Sequence, residues 1–272
     1  MYRNTFLSVM FLACCFNGSL CAQSDAQIYE RTCDAKTYPF SDPSPVATPN
    51  NSYYPYFRFD GFSMQAQEKQ WKMVVLENDY VKLTVTPEIG GKIWGAIDKV
   101  NNKEFVYTNG VVKFRDVAMR GPWTSGGIEF NFGIIGHAPT CSTPIDYLTK
   151  KNVDGSVSCH IFSYEWITRT VWNVEINLPK DKAYFTTHTT WFNQSSIDQP
   201  YYQWMNAGYA TKTGTRFYYP GTYSIGHSGD LHPYPIDEEG RDVSWYDNNN
   251  FGASKSCLLY TSDAADDKAR VD

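Results

Sequence analysis

Val81-Lys-Leu-Thr-Val-Thr-Pro-Glu-Ile-Gly-Gly-Lys-Ile-Trp94 decides how the chain is read. In its first six residues Val81, Leu83 and Val85 alternate with Lys82, Thr84 and Thr86. That period of two buries one face of a β-strand and leaves the other among polar groups. Pro87 and the paired glycines stop the strand, and Lys92–Ile97 reads as the next one. Strand, tight turn and returning strand are the pattern of an antiparallel sheet.

The same reading extends in both directions. Trp172-Asn-Val-Glu-Ile-Asn-Leu alternates over seven residues. Further strands are expected at Trp71–Leu76, Glu104–Thr108, Ser156–Trp166, Tyr184–Phe192, Tyr201–Ala210 and Thr215–Tyr219. Turn signals separate them: Glu77-Asn-Asp, Asn101-Asn-Lys, Asp154-Gly, Pro179-Lys-Asp-Lys and Lys212-Thr-Gly. No segment sustains the 3.6-residue apolar period of a capped helix, and no internal repeat is visible. The expected class is all-β, an antiparallel sandwich or barrel. Two long stretches, Gly110–Tyr147 and Tyr218–Tyr246, interrupt the strand rhythm. Long connections in compact domains tend to carry function.

The chain has 272 residues, enough for a large core, and 42% hydrophobic content excludes disorder throughout. Aromatics reach 16%, which suits half-buried pleated surfaces and also the stacking of rings on sugar faces. A net charge of −5 without a basic block argues against nucleic acid and anionic membranes as partners. At the N-terminus, Arg3, the apolar run Thr5–Phe16 and the small-residue exit ending at Ala22 read as an export signal, too short for a membrane span. An exported localisation follows, periplasmic, outer-membrane-associated or extracellular, with a lipoprotein through Cys15 as the alternative. Residues 23–56 are polar and proline-rich and read as a leader or wrapped arm rather than core. Residues 57–256 form the β-sandwich domain. Cys33, Cys141 and Cys159 have no CxxC spacing, so no metal or other cofactor is expected, and one disulfide among the three is anticipated.

Several rarer motifs fall in one order: Thr86-Pro-Glu-Ile-Gly-Gly-Lys-Ile-Trp, Arg120-Gly-Pro-Trp-Thr-Ser-Gly-Gly-Ile-Glu-Phe-Asn-Phe, Gly136-His-Ala-Pro-Thr, Tyr201-Tyr-Gln-Trp-Met-Asn-Ala and Gly240-Arg-Asp-Val-Ser-Trp-Tyr. Together they resemble a family of exported bacterial proteins of undefined function in the galactose-mutarotase-like superfamily. The likeness runs from about Trp71 to Lys255. It implies a large antiparallel supersandwich that binds carbohydrate on a concave face, often followed by tetratricopeptide repeats. Under it, the Thr86–Trp94 segment looks architectural, with Gly90 and Gly91 supplying special backbone geometry.

Candidate chemistry centres on Glu129 and His137. A carboxylate near Arg120 accepts hydroxyl hydrogen bonds or acts as a base, and an imidazole passes protons near neutrality. An Arg120–Glu129 ion pair that merely orders the loop is the competing reading. Substrate contacts are expected from Arg120, Trp123, Asn131, Trp204, Asn206, His227, Asp242 and Trp245. Asn206 stands where the resemblance implies a histidine, and an amide cannot shuttle a proton. Glu129 with Asp146 or Glu165 would be glycosidase-like carboxylate pairs.

From Cys257 the text changes character and resembles a translated sequencing adapter, so residues 257–272 are read as non-native and the sandwich as truncated at its C-terminus. The resemblance then implies a catalytic carboxylate beyond Ser256 and an exposed sheet edge. The expected function is an exported carbohydrate-active module that acts on the anomeric end of a glycan, as a glycoside hydrolase or a sugar epimerase. A non-catalytic carbohydrate-binding module and a scaffold domain are the alternatives.

Overall fold

A computed structural model describes residues 24–41, 61–116, 122–134, 136–200, 202–209, 213–226 and 229–248. In chain order its strands are β1 (Gln27–Tyr38), β2 (Gln67–Glu77), β3 (Val81–Thr86), β4 (Lys92–Asp98), β5 (Lys103–Val106), β6 (Val112–Lys113), β7 (Arg115–Asp116) and β8 (Pro122–Trp123). They continue as β9 (Ile128–Gly133), β10 (Asp146–Lys151), β11 (Val157–Glu165), β12 (Thr170–Leu178), β13 (Thr186–Asn193), β14 (Tyr202–Ala207), β15 (Tyr223–Ile225) and β16 (Leu231–Pro233). Among the described residues the only helical turns are three short 3-10 turns, and no helix is long and apolar enough to cross a membrane.

A large sheet runs β14-β9-β4-β3-β2-β1-β6, with β5 also on β4, and a second sheet runs β10-β11-β12-β13. Every pairing in both is antiparallel except β1 with β6. The two sheets face each other across one core. Val74, Leu76, Leu83, Val85, Ile93, Phe130 and Phe132 come from the large sheet, and Cys159, Ile161, Trp172, Val174 and Ile176 from the other. Phe132 stacks on Trp172 with centroids 4.8 Å apart. Each fully buried aliphatic side chain here contributes about 1.5–3 kcal/mol. The fold is therefore an all-β sandwich.

The outer face of the large sheet is covered as well. Trp71, Met73, Ile89, Trp94, Val112 and Phe114 form a second apolar cluster there. Because Thr86 pairs with Lys92 and Val85 with Ile93, Lys92 points to this outer face while Ile93 enters the core.

The structure differs from the sequence expectations over three segments and at the cysteines. Residues 27–38, expected as a leader or wrapped arm, form a strand of the large sheet: β1 pairs with β2 from Gln27 to Thr37, and its polar composition reflects its largely exposed side chains. Glu129 and Asn131 do not lie in a loop, because Ile128–Gly133 is a wholly buried strand. Thr215–Tyr219 forms no strand and contributes a single bridge, Arg216 to Trp245. Cys33, Cys141 and Cys159 are all free thiols, so the anticipated disulfide is not formed.

Candidate functional site

The site lies on the outer face of the large sheet, where three neighbouring strands bring polar groups into register. Strict alternation in Ile128-Glu-Phe-Asn-Phe sends Ile128, Phe130 and Phe132 into the core and Glu129 and Asn131 outward. On the next strand Asn206 pairs with Glu129 and Trp204 with Asn131, so all four share that face. β4 supplies Lys92 from the other side. The loop after β9 then folds over with His137, and β8 with the residue after it adds Trp123 and Thr124.

Two glycines fix this geometry. Gly90 adopts φ +64° between the 3-10 turn at Pro87–Ile89 and β4. A Cβ there would lie 2.4 Å from the Cys141 carbonyl oxygen. Gly127, at φ +68°, precedes β9, and its Cβ would lie 2.3 Å from the Ile93 carbonyl oxygen. Gly127 thus lets the backbone of the neighbouring strand approach closely.

At the centre, Glu129 is 2% exposed, Lys92 1% and Asn131 0%. The Lys92 ammonium donates to the carbonyl and hydroxyl oxygens of Thr124, the second at 3.1 Å. It lies 5.4 Å from the Trp123 ring centre. Asn131 donates its amide to Glu129 Oε1. His137 Nδ1 stands 3.4 Å from the same oxygen, close enough for an ion pair but not aligned as a hydrogen bond. The His137 ring packs 5.3 Å from that of Trp204, which stacks on Tyr202. His137 has φ +56°, a left-handed backbone that costs a non-glycine residue about 1–3 kcal/mol. Strain of that kind persists where surrounding structure enforces it, and here it sets an imidazole beside a buried carboxylate.

Charges in the cluster shape one another. Burial alone would raise the Glu129 pKa, but His137, Lys92 and the Asn131 amide outweigh it and hold the carboxyl below its usual range. Burial pushes Lys92 downward against the opposing pull of Glu129. The Cys141 thiol is pushed well up by burial and by Glu129, which keeps it neutral.

The structure thus gathers Glu129, Asn131, His137, Trp123, Trp204 and Asn206. Arg120 and His227 lie outside the described residues; among the described residues, His137 meets Glu129, and Lys92 is the lysine whose charge acts on it. Asp242 and Trp245 belong to another cluster: Asp242 pairs with Arg216 at 3.4 Å, and the Arg216 guanidinium lies 4.9 Å from the Trp245 ring. Arg241 pairs with Asp237 and Glu239. Neither glycosidase partner joins Glu129. Asp146 opens β10 as an exposed residue, and Glu165 is a buried turn acceptor for Thr168. Lys92 is the residue the sequence reading passed over. The signal was a lone cation inside the apolar run from Ile89 to Ala96. No group of three His, Cys, Asp or Glu side chains capable of holding a metal occurs among the described residues.

A solved structure with a similar fold is a TPR-domain-containing protein from Parabacteroides distasonis ATCC 8503. It superposes with a TM-score of 0.70 at 25% identity, over 82% of this chain and 38% of that one, so the chain spans well under half of that protein. Residues 48–265, which hold every site residue named above and run past Cys257, match the family model described as a domain of unknown function, DUF5107. The chain belongs to that family.

Proposed function

We propose that this face binds the anomeric end of a glycan and that His137 and Glu129 form an acid/base couple there. One observation carries the reading. Among the described residues, Trp123 Nε1, Asn131 Oδ1, His137 Nδ1 and Thr140 Oγ1 are buried with no hydrogen-bond partner. Leaving such atoms unsatisfied costs about 1–3 kcal/mol each, and two of them belong to Asn131 and His137, which both meet Glu129 Oε1, so a polar ligand is favoured there. The set mixes donors with acceptors, and sugar hydroxyls both donate and accept. The indoles of Trp123 and Trp204 add apolar surface suited to a pyranose face.

Chemistry at such a site needs a group that takes and returns a proton near neutrality, and an imidazole held by a carboxylate meets that need. With Asp146 and Glu165 placed elsewhere, epimerisation fits the site better than glycoside cleavage. Export through residues 1–22 and membership of the mutarotase-like superfamily accord with this reading and belong to the same proposal. A scaffold role is the second reading, favoured by the tetratricopeptide-containing neighbour, of which this chain covers 38%.

The test is a panel of labelled oligosaccharides offered to the chain and to Glu129→Gln. Binding lost in the variant, with anomeric exchange or cleavage lost alongside it, supports the enzyme. Binding without turnover in either supports a binding module. No binding to any sugar, with retention of a protein partner, supports the scaffold.

A further inference from the structure

Away from the buried cluster, the last described stretch builds an arrangement that the acid/base couple leaves unused. Residues 215–217 run antiparallel to residues 244–246. The Phe217 amide donates to the Ser244 carbonyl at 2.8 Å, the Tyr246 amide donates to the Thr215 carbonyl at 2.9 Å, and Arg216 stands opposite Trp245. Directly opposed residues of an antiparallel pair share a face, and so does the residue two places along. Arg216, Trp245 and Tyr218 are thereby presented together.

Their contacts fix a planar, partly open surface. The Arg216 guanidinium lies 5.0 Å from the Tyr218 ring centre and 4.9 Å from that of Trp245. Its Nε–H donates to Ser244 Oγ at 3.0 Å, and two further N–H groups reach the Tyr218 hydroxyl at 3.5 Å and Asp242 Oδ2 at 3.4 Å. That engages three of the five donors a guanidinium carries. Asp242 Oδ1 accepts from the amide and the hydroxyl of Ser244, which holds the carboxylate beside the guanidinium. Tyr218 is nevertheless 77% exposed and Trp245 36%. The rings are held at the surface by backbone pairing and by Arg216, not drawn into a core.

This chemistry selects its ligand. An anion drawn to Arg216 meets the Asp242 carboxylate, and a cation drawn to Asp242 meets the guanidinium, so the pair favours neither. A neutral ring bearing hydroxyls suits both groups: one hydroxyl accepts from a spare Arg216 N–H while its neighbour donates to Asp242. Its C–H face then covers an exposed aromatic ring.

We propose that Tyr218, Arg216, Asp242 and Trp245 form a surface platform for a neutral pyranose residue, separate from the cluster at Glu129. The platform rests on the glycan reading for its class of ligand alone, and it uses different residues.

The full chain, labelled with ¹⁵N, is titrated by NMR with cellotetraose, maltotetraose and mannotetraose as neutral probes and with trigalacturonate as an acidic one. At least one neutral probe shifts the Arg216 Nε–H and Trp245 indole N–H signals, and trigalacturonate binds more weakly. Tyr218→Ala, a change at an exposed side chain, weakens that binding about tenfold through the lost stacking contact. Arg216 and Trp245 signals that stay still with every neutral probe overturn the proposal. So does an affinity unchanged in Tyr218→Ala, or tighter binding of trigalacturonate. Shifts confined to Trp204 and Asn206 sink the platform and leave the sugar reading of the buried cluster standing; shifts confined to Arg216 and Trp245 do the reverse.

Discussion

Around Lys92, a cation, a carboxylate and aromatic rings are packed where water hardly reaches; around Arg216, the same ingredients lie at the surface. Lys92 and Glu129 are 1% and 2% exposed. The Arg216 and Asp242 side chains are 34% and 27% exposed, and the guanidinium rests between Tyr218 and Trp245. The residue types would suggest equal importance, and the sequence reading drew candidates from both. Burial separates them. A surface ion pair is screened and adds little, whereas an interior pair is costly to form and costlier to break. Chemistry that depends on a perturbed proton affinity belongs with the sealed cluster.

The largest expected effect follows from removing the buried cation. Lys92→Met removes a buried cation near Glu129 and leaves its two Thr124 acceptors unpaired, and should cost about 3–5 kcal/mol, read as a lower urea midpoint with an unchanged slope. The matching surface change, Arg216→Leu, should leave the midpoint within error. Equal losses from the two variants would end the distinction.

Next comes the backbone that aligns the sealed cluster. Gly127→Ala places a methyl 2.3 Å from the Ile93 carbonyl oxygen in a left-handed conformation, at a cost of about 1–3 kcal/mol. Gly240, also at positive φ, has open space around its Cβ in the surface region. Gly240→Ala should cost less than Gly127→Ala, which thermal melts would resolve.

The smallest expected effect concerns acid. Glu129 in the folded chain lies below the ordinary carboxylate value, so its stabilisation is full above about pH 4.3 and is lost as pH falls through its folded value. Glu129→Gln should therefore show a shallower fall in stability below about pH 4 than the wild type. Asp242 is also lowered, chiefly by the Ser244 hydroxyl, yet it is solvated, and Asp242→Asn should leave the acid limb close to wild type. Denaturant midpoints measured across that range compare the two.

Much of the sandwich was legible because its strands alternate cleanly. Val81–Thr86 was bounded to the residue, and Trp172–Leu178 lies within a strand that begins two residues earlier, at Thr170. β1 was missed because a largely solvated strand has no apolar face to read. β9 was hidden by its surroundings: glycine and proline on both sides suggested a loop, although Ile128-Glu-Phe-Asn-Phe alternates as regularly as any strand in the chain. Within the site, Glu129 and His137 could be singled out by residue type. Their lysine partner could not, since pairing β4 with β9 is a long-range event that no local pattern encodes. The extension of the site to Asp242 and Trp245 failed for the same reason, as nothing local says which loop meets which sheet.

The position of β14 has a further consequence. Among the described pairings this strand is held by β9 alone, at the end of the large sheet, and Met205 on its core side is 54% exposed. Yet it carries Trp204 and Asn206. Opening that one strand would dismantle a wall of the cluster while the sandwich interior stays shut, so the site is expected to open at a lower free energy than β3 or β12. Backbone amides of β14 should exchange with deuterium well before those of β3 and β12. A ligand seated against Trp204 would slow them selectively, and that slowing would report its occupancy.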